Sequence, residues 1–170
     1  MIERPKPEYR SGIGTDIHEL VNGRKLMLCG IEVPYKAGLL GYSDGDVGLH
    51  AVIDALLGAS GMGDIGTMFP DTVPEWKDAD SKELLGIVRD MLEDKDWEIA
   101  NVDVIIHAEE PSLEPFKGQM KRSVAGLLGI DFTVVNVKAK TNEGFGDVGA
   151  GDAIAATAIT LLKKKFRRTL

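Results

Sequence analysis

The residues with the means to do chemistry gather in two short stretches. In Leu40-Gly-Tyr-Ser-Asp-Gly-Asp-Val-Gly-Leu-His50-Ala-Val-Ile-Asp54, a glycine-and-acid loop runs into an apolar segment of helical periodicity. His50 and Asp54 fall one helical turn apart, so both project from one face. Upstream, Gly12-Ile-Gly-Thr-Asp16-Ile-His18 carries an acid and an imidazole two residues apart, which a strand places on one side. Asp16, His18 and His50 are three ligands of the kind catalytic zinc accepts, leaving a fourth position for water or substrate. Asp54 is placed to hold the other imidazole nitrogen of His50 as a supporting carboxylate. The spacing is not that of a zinc finger, and Cys29 has no cysteine partner.

The elements that must position these groups can be read from the pattern. Ser11 to Glu19 reads as a strand. Leu26-Met-Leu-Cys29 and Ile31-Glu-Val33 read as a hairpin turning at Gly30, followed by a glycine-rich loop from Pro34 to Gly45. A helix spans about Asp46 to Ala59, with Leu49, Val52, Ile53, Leu56 and Leu57 on its core side and Val47, His50, Ala51 and Asp54 on the other. Ser60 to Asp80 is a long loop, a form that in compact domains is usually functional. A second helix, capped by Asp80 with Glu83 three residues on, runs to Lys95. Then come a strand at Ile99 to His107, a helix at Glu114 to Gly129, a strand at Phe132 to Lys140 and a closing helix at Gly151 to Arg168. The class this implies is α+β: a two-layer sandwich, one mixed β-sheet with helices packed on one face.

The 170 residues suit one domain, residues 10–170, behind a flexible extension over 1–9 rich in charge and proline. A net charge of -7 argues against nucleic acid as partner. No apolar run approaches the ~20 residues of a membrane span, nor do the first ten residues form a signal peptide. The lone Cys29 fits a reducing compartment. The expected location is the bacterial cytoplasm, or the plastid stroma in a plastid-bearing organism.

Gly144-Phe-Gly-Asp-Val-Gly149 matches Gly-x-Gly-x-x-Gly, but too little chain remains after it for the second strand and acidic ribose contact of a dinucleotide fold. The glycines read instead as a tight turn near a phosphate, next to Lys140-Thr-Asn-Glu143 at a strand end. His107 reads as a structural or pocket-wall residue, and the basic run Lys163 to Arg168 as a solvated helix end.

Taken together, Gly14-Thr-Asp16-Ile-His18, Ser43-Asp-Gly-Asp-Val-Gly-Leu-His50, Asp54-Ala-Leu-Leu-Gly58, Gly63-Asp64-Ile-Gly66, Phe69-Pro-Asp71-Thr72, Asn101-Val-Asp103 and Asn136-Val-Lys-Ala-Lys-Thr141-Asn-Glu143 resemble the 2-C-methyl-D-erythritol 2,4-cyclodiphosphate synthase family over about Arg10 to Leu162. The resemblance implies Zn2+ on Asp16, His18 and His50, and Mg2+ or Mn2+ on Glu143 bridging the phosphates of a cytidine diphosphate substrate. It implies catalytic or phosphate-orienting roles for Tyr42, Ser43, Thr141 and Glu143. Substrate contacts would come from Asp16, Ile17 and His18, from Asp64, Ile65 and Gly66, and from Phe69, Pro70, Asp71, Thr72 and Val73 closing over the methylerythritol phosphate. Ala108, Pro111 and Leu113 would line the cytosine pocket, beside Lys140 and Asn142. It further implies a homotrimer with active sites between subunits, and CMP as the released product. Two positions depart from the family: Tyr42, where members often have His, and Ala150, where many have an arginine associated with a diphosphate in the trimer cavity. Two other readings suit the same residues, a zinc hydrolase and a trimeric nucleotide-binding module.

Overall fold

The computed structural model describes residues 8–165. Most of the proposed extension (1–7) and the end of the basic run (166–168) lie outside the described residues. A long strand β1 (Tyr9–Asn22) leads into a small hairpin, β2 (Leu26–Leu28) and β3 (Ile31–Val33), and then β4 (Ala37–Leu39). Next come α1 (Val47–Ser60), a single turn α2 (Ile65–Met68), α3 (Ser81–Asp94), β5 (Trp97–His107), α4 (Lys117–Leu128), β6 (Val135–Lys140), a short α5 (Gly146–Ala150) and β7 (Ala153–Lys164). Five strands form one sheet in the order β4-β1-β7-β5-β6, antiparallel except for the parallel pair β5/β6. The predicted mixed sheet with helices on one side is what the chain builds.

The largest difference from expectation is at the C-terminal end, where a helix over Gly151 to Arg168 was predicted. β7 is instead a strand between β1 and β5. Its run Ala-Ile-Ala-Ala-Thr-Ala-Ile-Thr-Leu-Leu shows no clean polar alternation and is rich in alanine, the best helix former. A central strand packed by the helix layer must be apolar and small there: Ile154, Ala156, Ala158 and Leu162 are buried under it. Thr160, also fully buried, satisfies its hydroxyl by donating to the carbonyl of Asn101 at 2.9 Å. Smaller shifts are that the glycine-rich loop contains β4, that α4 begins at Lys117, and that a 3-10 turn at Phe132–Val134 precedes β6.

Two glycines bring α1 down onto β1. A Cβ on Gly12 would lie 2.0 Å from the carbonyl oxygen of Ala55, and one on Gly14 2.1 Å from that of Ala51. With backbone against backbone, α1 is buried nearly all round, Val47 and Ala51 included. The two-sided helix drawn from periodicity is therefore replaced by one enclosed between the sheet, the β2–β3 hairpin and α3. Its N-terminus is locked by the fully buried Asp46, whose carboxylate accepts from the amides of Cys29 (2.7 Å), Gly30 (2.6 Å) and Leu49 (3.0 Å). Burial and the nearby Asp44 push the Asp46 carboxyl above its ordinary value, while those amides pull it back down.

Among the described residues, the opposite face of the sheet carries no helix. Ile13, Ile17 and Ile159 stand there 64%, 54% and 49% exposed, with Ile13 directly across from Ile159. Among the described residues no helix is long and apolar enough to cross a membrane.

Candidate metal centre and cleft

Asp16 and His18 alternate onto the helix-covered side of β1, and the approach allowed by Gly14 sets His50, in the first turn of α1, against them. The Asp16 Oδ2 lies 2.8 Å from His50 Nδ1 and 3.1 Å from His18 Nε2, and the two imidazole nitrogens are 3.2 Å apart. One oxygen and two nitrogens thus form a triangle with nearly equal edges. Donors around a tetrahedral ion with bonds of about 2.0–2.1 Å are spaced roughly 3.3 Å apart, so the set fits one face of a zinc tetrahedron. Burial alone would raise the Asp16 carboxyl; hydrogen bonds from the two histidines override it and hold the group far below the usual carboxylate range. Burial would lower His50, but the Asp16 carboxylate against it leaves its pKa raised.

Asp54 does not play the expected part. Its Oδ1 accepts the Ile65 amide at 2.7 Å, tying α1 to the start of the long loop. The far nitrogen of His50, Nε2, meets the hydroxyls of Ser43 at 3.0 Å and Ser81 at 2.9 Å. Ser81 was missed because a serine at the first turn of a helix reads as ordinary capping chemistry.

The triangle opens on a cleft of about 320 Å³. Tyr42 and Ser43 line it from the loop before α1, and Ile65, Gly66, Phe69 and Asp71 from the long loop. Trp76, also unforeseen, stacks edge-on against Phe69 with ring centres 5.0 Å apart. Asp64 caps α2 by accepting from the Thr67 amide at 2.7 Å, and the Tyr42 hydroxyl donates to the Val73 carbonyl at 3.3 Å. Pro70 and Thr72 belong to the same loop without lining the cleft. Ile17 falls on the other face of β1, so its side chain does not join Asp16 and His18.

The remaining predicted residues collect elsewhere. Ala108, Pro111, Leu113, Lys140 and Thr141 line a second cleft of about 400 Å³. Thr141 Oγ1 donates to Glu143 Oε1 at 3.1 Å, and Glu143 is exposed on left-handed backbone, φ 51°. Asn142 is turned to the protein itself, its Oδ1 3.2 Å from His107 Nδ1 and its amide donating to Glu109 at 3.2 Å. The registers His18↔Ile154, Ala155↔His107 and His107↔Lys140 place both clefts at one end of the sheet. β7 and β5 lie between β1 and β6, three strand spacings or about 14 Å. His107 and Lys140, moreover, alternate onto the helix-free side. Within one chain the two halves do not meet.

Gly144 to Gly149 closes a tight loop into α5: a Cβ on Gly149 would lie 2.2 Å from the carbonyl carbon of Gly144. The chain then enters β7, an antiparallel partner to β1 and β5, which agrees with rejecting a dinucleotide fold.

Comparison with known proteins gives a consistent result. The YgbB family matches residues 9–163. A 2-C-methyl-D-erythritol 2,4-cyclodiphosphate synthase of Treponema denticola is 49% identical over 153 residues, covering 90% of this chain and 95% of that protein. The fold matches the IspF of Plasmodium falciparum in complex with CDP (TM-score 0.81, 32% identity, 93% of this chain and 97% of that one). It also matches the bifunctional IspDF of Campylobacter jejuni (TM-score 0.91, 38% identity, 95% of this chain), of which it spans 44%.

Proposed function

The chain belongs to the YgbB family, and we propose that it performs, within a trimer and with metal ions, the reaction for which its relatives are named. It converts 4-diphosphocytidyl-2-C-methyl-D-erythritol 2-phosphate into 2-C-methyl-D-erythritol 2,4-cyclodiphosphate and CMP, a step of the non-mevalonate isoprenoid pathway. A 2-phosphate oxygen forms a bond to the β-phosphorus, the bond from that phosphorus to the bridging oxygen breaks, and CMP departs with the electron pair. Breaking that bond by internal attack makes the enzyme a phosphorus–oxygen lyase.

The observation that carries this reading is the Asp16–His18–His50 triangle at the mouth of a cleft walled by the long loop. Zinc held there supplies Lewis acidity and neutralises phosphate charge, which lets an anion attack an anion in a protein of net charge -7. Glu143 would hold a magnesium or manganese ion, which would neutralise diphosphate charge. The protein's own groups supply position, which matters more than a strong base in phosphoryl transfer. Ser43 and Thr141 hold phosphate oxygens by their hydroxyls, as Tyr42 does by its amide. Asp64 and the loop from Ile65 to Val73 enclose the methylerythritol. Ala108 to Leu113 receive the cytosine, and Lys140 stands beside the diphosphate.

The separation of the two clefts within one chain supports a site completed by a neighbour. A heterologous contact that closes into a ring after three copies brings the Thr141–Glu143 end of one subunit to the zinc end of the next. The helix-free sheet face with Ile13, Ile17 and Ile159 is the surface such a ring buries. Phosphorus NMR with the linear cytidine substrate, zinc and magnesium tests the function. CMP appearing with a cyclic diphosphate is the expected result. An open-chain product would replace cyclisation by hydrolysis, and an inert substrate would overturn the assignment.

A further inference from the structure

A metal-binding imidazole must present a lone pair, and which nitrogen does so is set by what the other nitrogen touches. Here the other nitrogen of His50, Nε2, faces two serine hydroxyls in a buried site, so the protons can be counted. The Ser81 Oγ lies 2.5 Å from Asp44 Oδ1. A carboxylate only accepts, so the Ser81 proton points to Asp44. The Ser81 oxygen then has only lone pairs to offer His50 Nε2, 2.9 Å away. That contact is a hydrogen bond only if Nε2 carries the proton. Ser43 Oγ, at 3.0 Å from the same nitrogen, accepts as well and also takes the Gly45 amide at 3.3 Å. Its own proton can turn to the Ser81 oxygen, 3.5 Å away, or to the cleft that Ser43 lines, and neither choice supplies a donor to Nε2.

We infer that Ser81, oriented by Asp44, is a positioning residue that fixes His50 as the Nε2–H tautomer and so aims the Nδ1 lone pair at the metal. The relay is built into the fold. Ser81 is the first residue of α3 and has no exposed surface. Asp44 also accepts the Ser81 amide at 3.3 Å and the Asp46 amide at 3.2 Å. It thereby ties the start of α3 to the loop that launches α1. The orientation of a zinc ligand on one helix thus depends on the first turn of another.

The inference rests on the zinc reading of the site, and the experiment separates the two. Zinc dissociation constants are measured by chelator competition on the wild type, Ser81→Ala and Asp44→Asn, with circular dichroism confirming the fold of each. Supporting polar partners of ligating histidines are commonly worth 10–100-fold in affinity. Ser81→Ala, which leaves Ser43 to accept from Nε2, is expected near the lower end, about 10-fold. Asp44→Asn keeps the shape but offers Ser81 a donor, freeing Ser81 to donate to Nε2 and favour the wrong tautomer. It is expected to lose as much or more. In the zinc-loaded wild type, a nitrogen-15 histidine correlation spectrum should show His50 protonated at Nε2. Failure of the wild type to bind zinc would overturn both readings. Wild-type zinc affinity in folded Ser81→Ala and Asp44→Asn, or a His50 without a proton on Nε2, would overturn this one alone. If Ser81→Ala does not fold, Asp44→Asn and the wild-type spectrum decide the matter.

Discussion

Replacing Gly14 by alanine puts the helix–strand contact to its hardest test. The new Cβ would sit 2.1 Å from the Ala51 carbonyl oxygen and 2.6 Å from the Ala55 amide nitrogen, more than about 1 Å inside a normal van der Waals separation of roughly 3.5 Å. Both obstacles are backbone, so no rotamer relieves them and α1 must back away by about that much. His50 precedes Ala51, so its Nδ1 moves off from its present 2.8 Å and 3.2 Å contacts with Asp16 and His18. The triangle then opens to about 4 Å, too wide for the roughly 3.3 Å spacing of a zinc tetrahedron. Overpacking of this kind costs about 1–3 kcal/mol, and we expect the upper part of that range with a fall in Tm of about 5–10 °C. A 1 Å misplacement of a reacting group should lower turnover about 100-fold. Urea denaturation, zinc competition and the phosphorus assay would be run on one preparation. Gly126→Ala is the control: it is exposed within α4 with nothing within 4 Å of the added Cβ, and should gain up to about 1 kcal/mol. A Gly14→Ala protein within about 0.5 kcal/mol of wild type and equal to it in zinc affinity would refute the close-approach argument.

Three further outcomes are expected. Asp46→Ala strands three amides in a buried site; at about 1 kcal/mol or more per orphaned donor, the urea midpoint should report a loss near 3 kcal/mol, and a loss under about 1 kcal/mol would refute the lock. In metal-free protein the raised His50 pKa contributes stability that is present in full below the unfolded histidine value of about 6.5 and is lost as pH rises through the folded value. Chelated protein should therefore melt progressively lower as pH rises from 6.5, and zinc at 100 times its dissociation constant should restore about 2.7 kcal/mol; a chelated Tm flat in pH over that window would contradict it. Ile159→Lys should convert a species about three times 18.4 kDa in light scattering into a monomer that still binds zinc but does not turn over; an active monomer would remove the need for a neighbour.

The sequence was most legible where chemistry demands particular side chains at particular spacings. Asp-x-His on a strand and a histidine at a helix start led to the three atoms that the fold brings to 2.8 Å, 3.1 Å and 3.2 Å from one another. It was least legible where packing overrides propensity. β7 is alanine-rich because α1 presses on it, a cause that lies in another part of the chain. Asp54 looked like support for His50 because the two share a helical face, yet a backbone amide from the long loop after α1 claims it. Ser81 gave no signal, since its importance comes from Asp44 and His50, 37 and 31 residues away.

The position of β7 also governs when this molecule can fold. β1 and β5 do not pair with each other; both are hydrogen-bonded to β7, in pairings such as Gly14 with Ala158 and Val104 with Ala158. During synthesis the ribosome delivers β1 first, and its long edges have no central partner until the chain has been made almost to Lys164. Loop closure over that distance is slow, and the apolar strands are open to non-native pairing in the interval. The helix that carries His50 rests on β1 and β7 together, so a firm metal centre should arise only after the late strand inserts. Zinc would enter at the end of folding, as its seal and not as its nucleus.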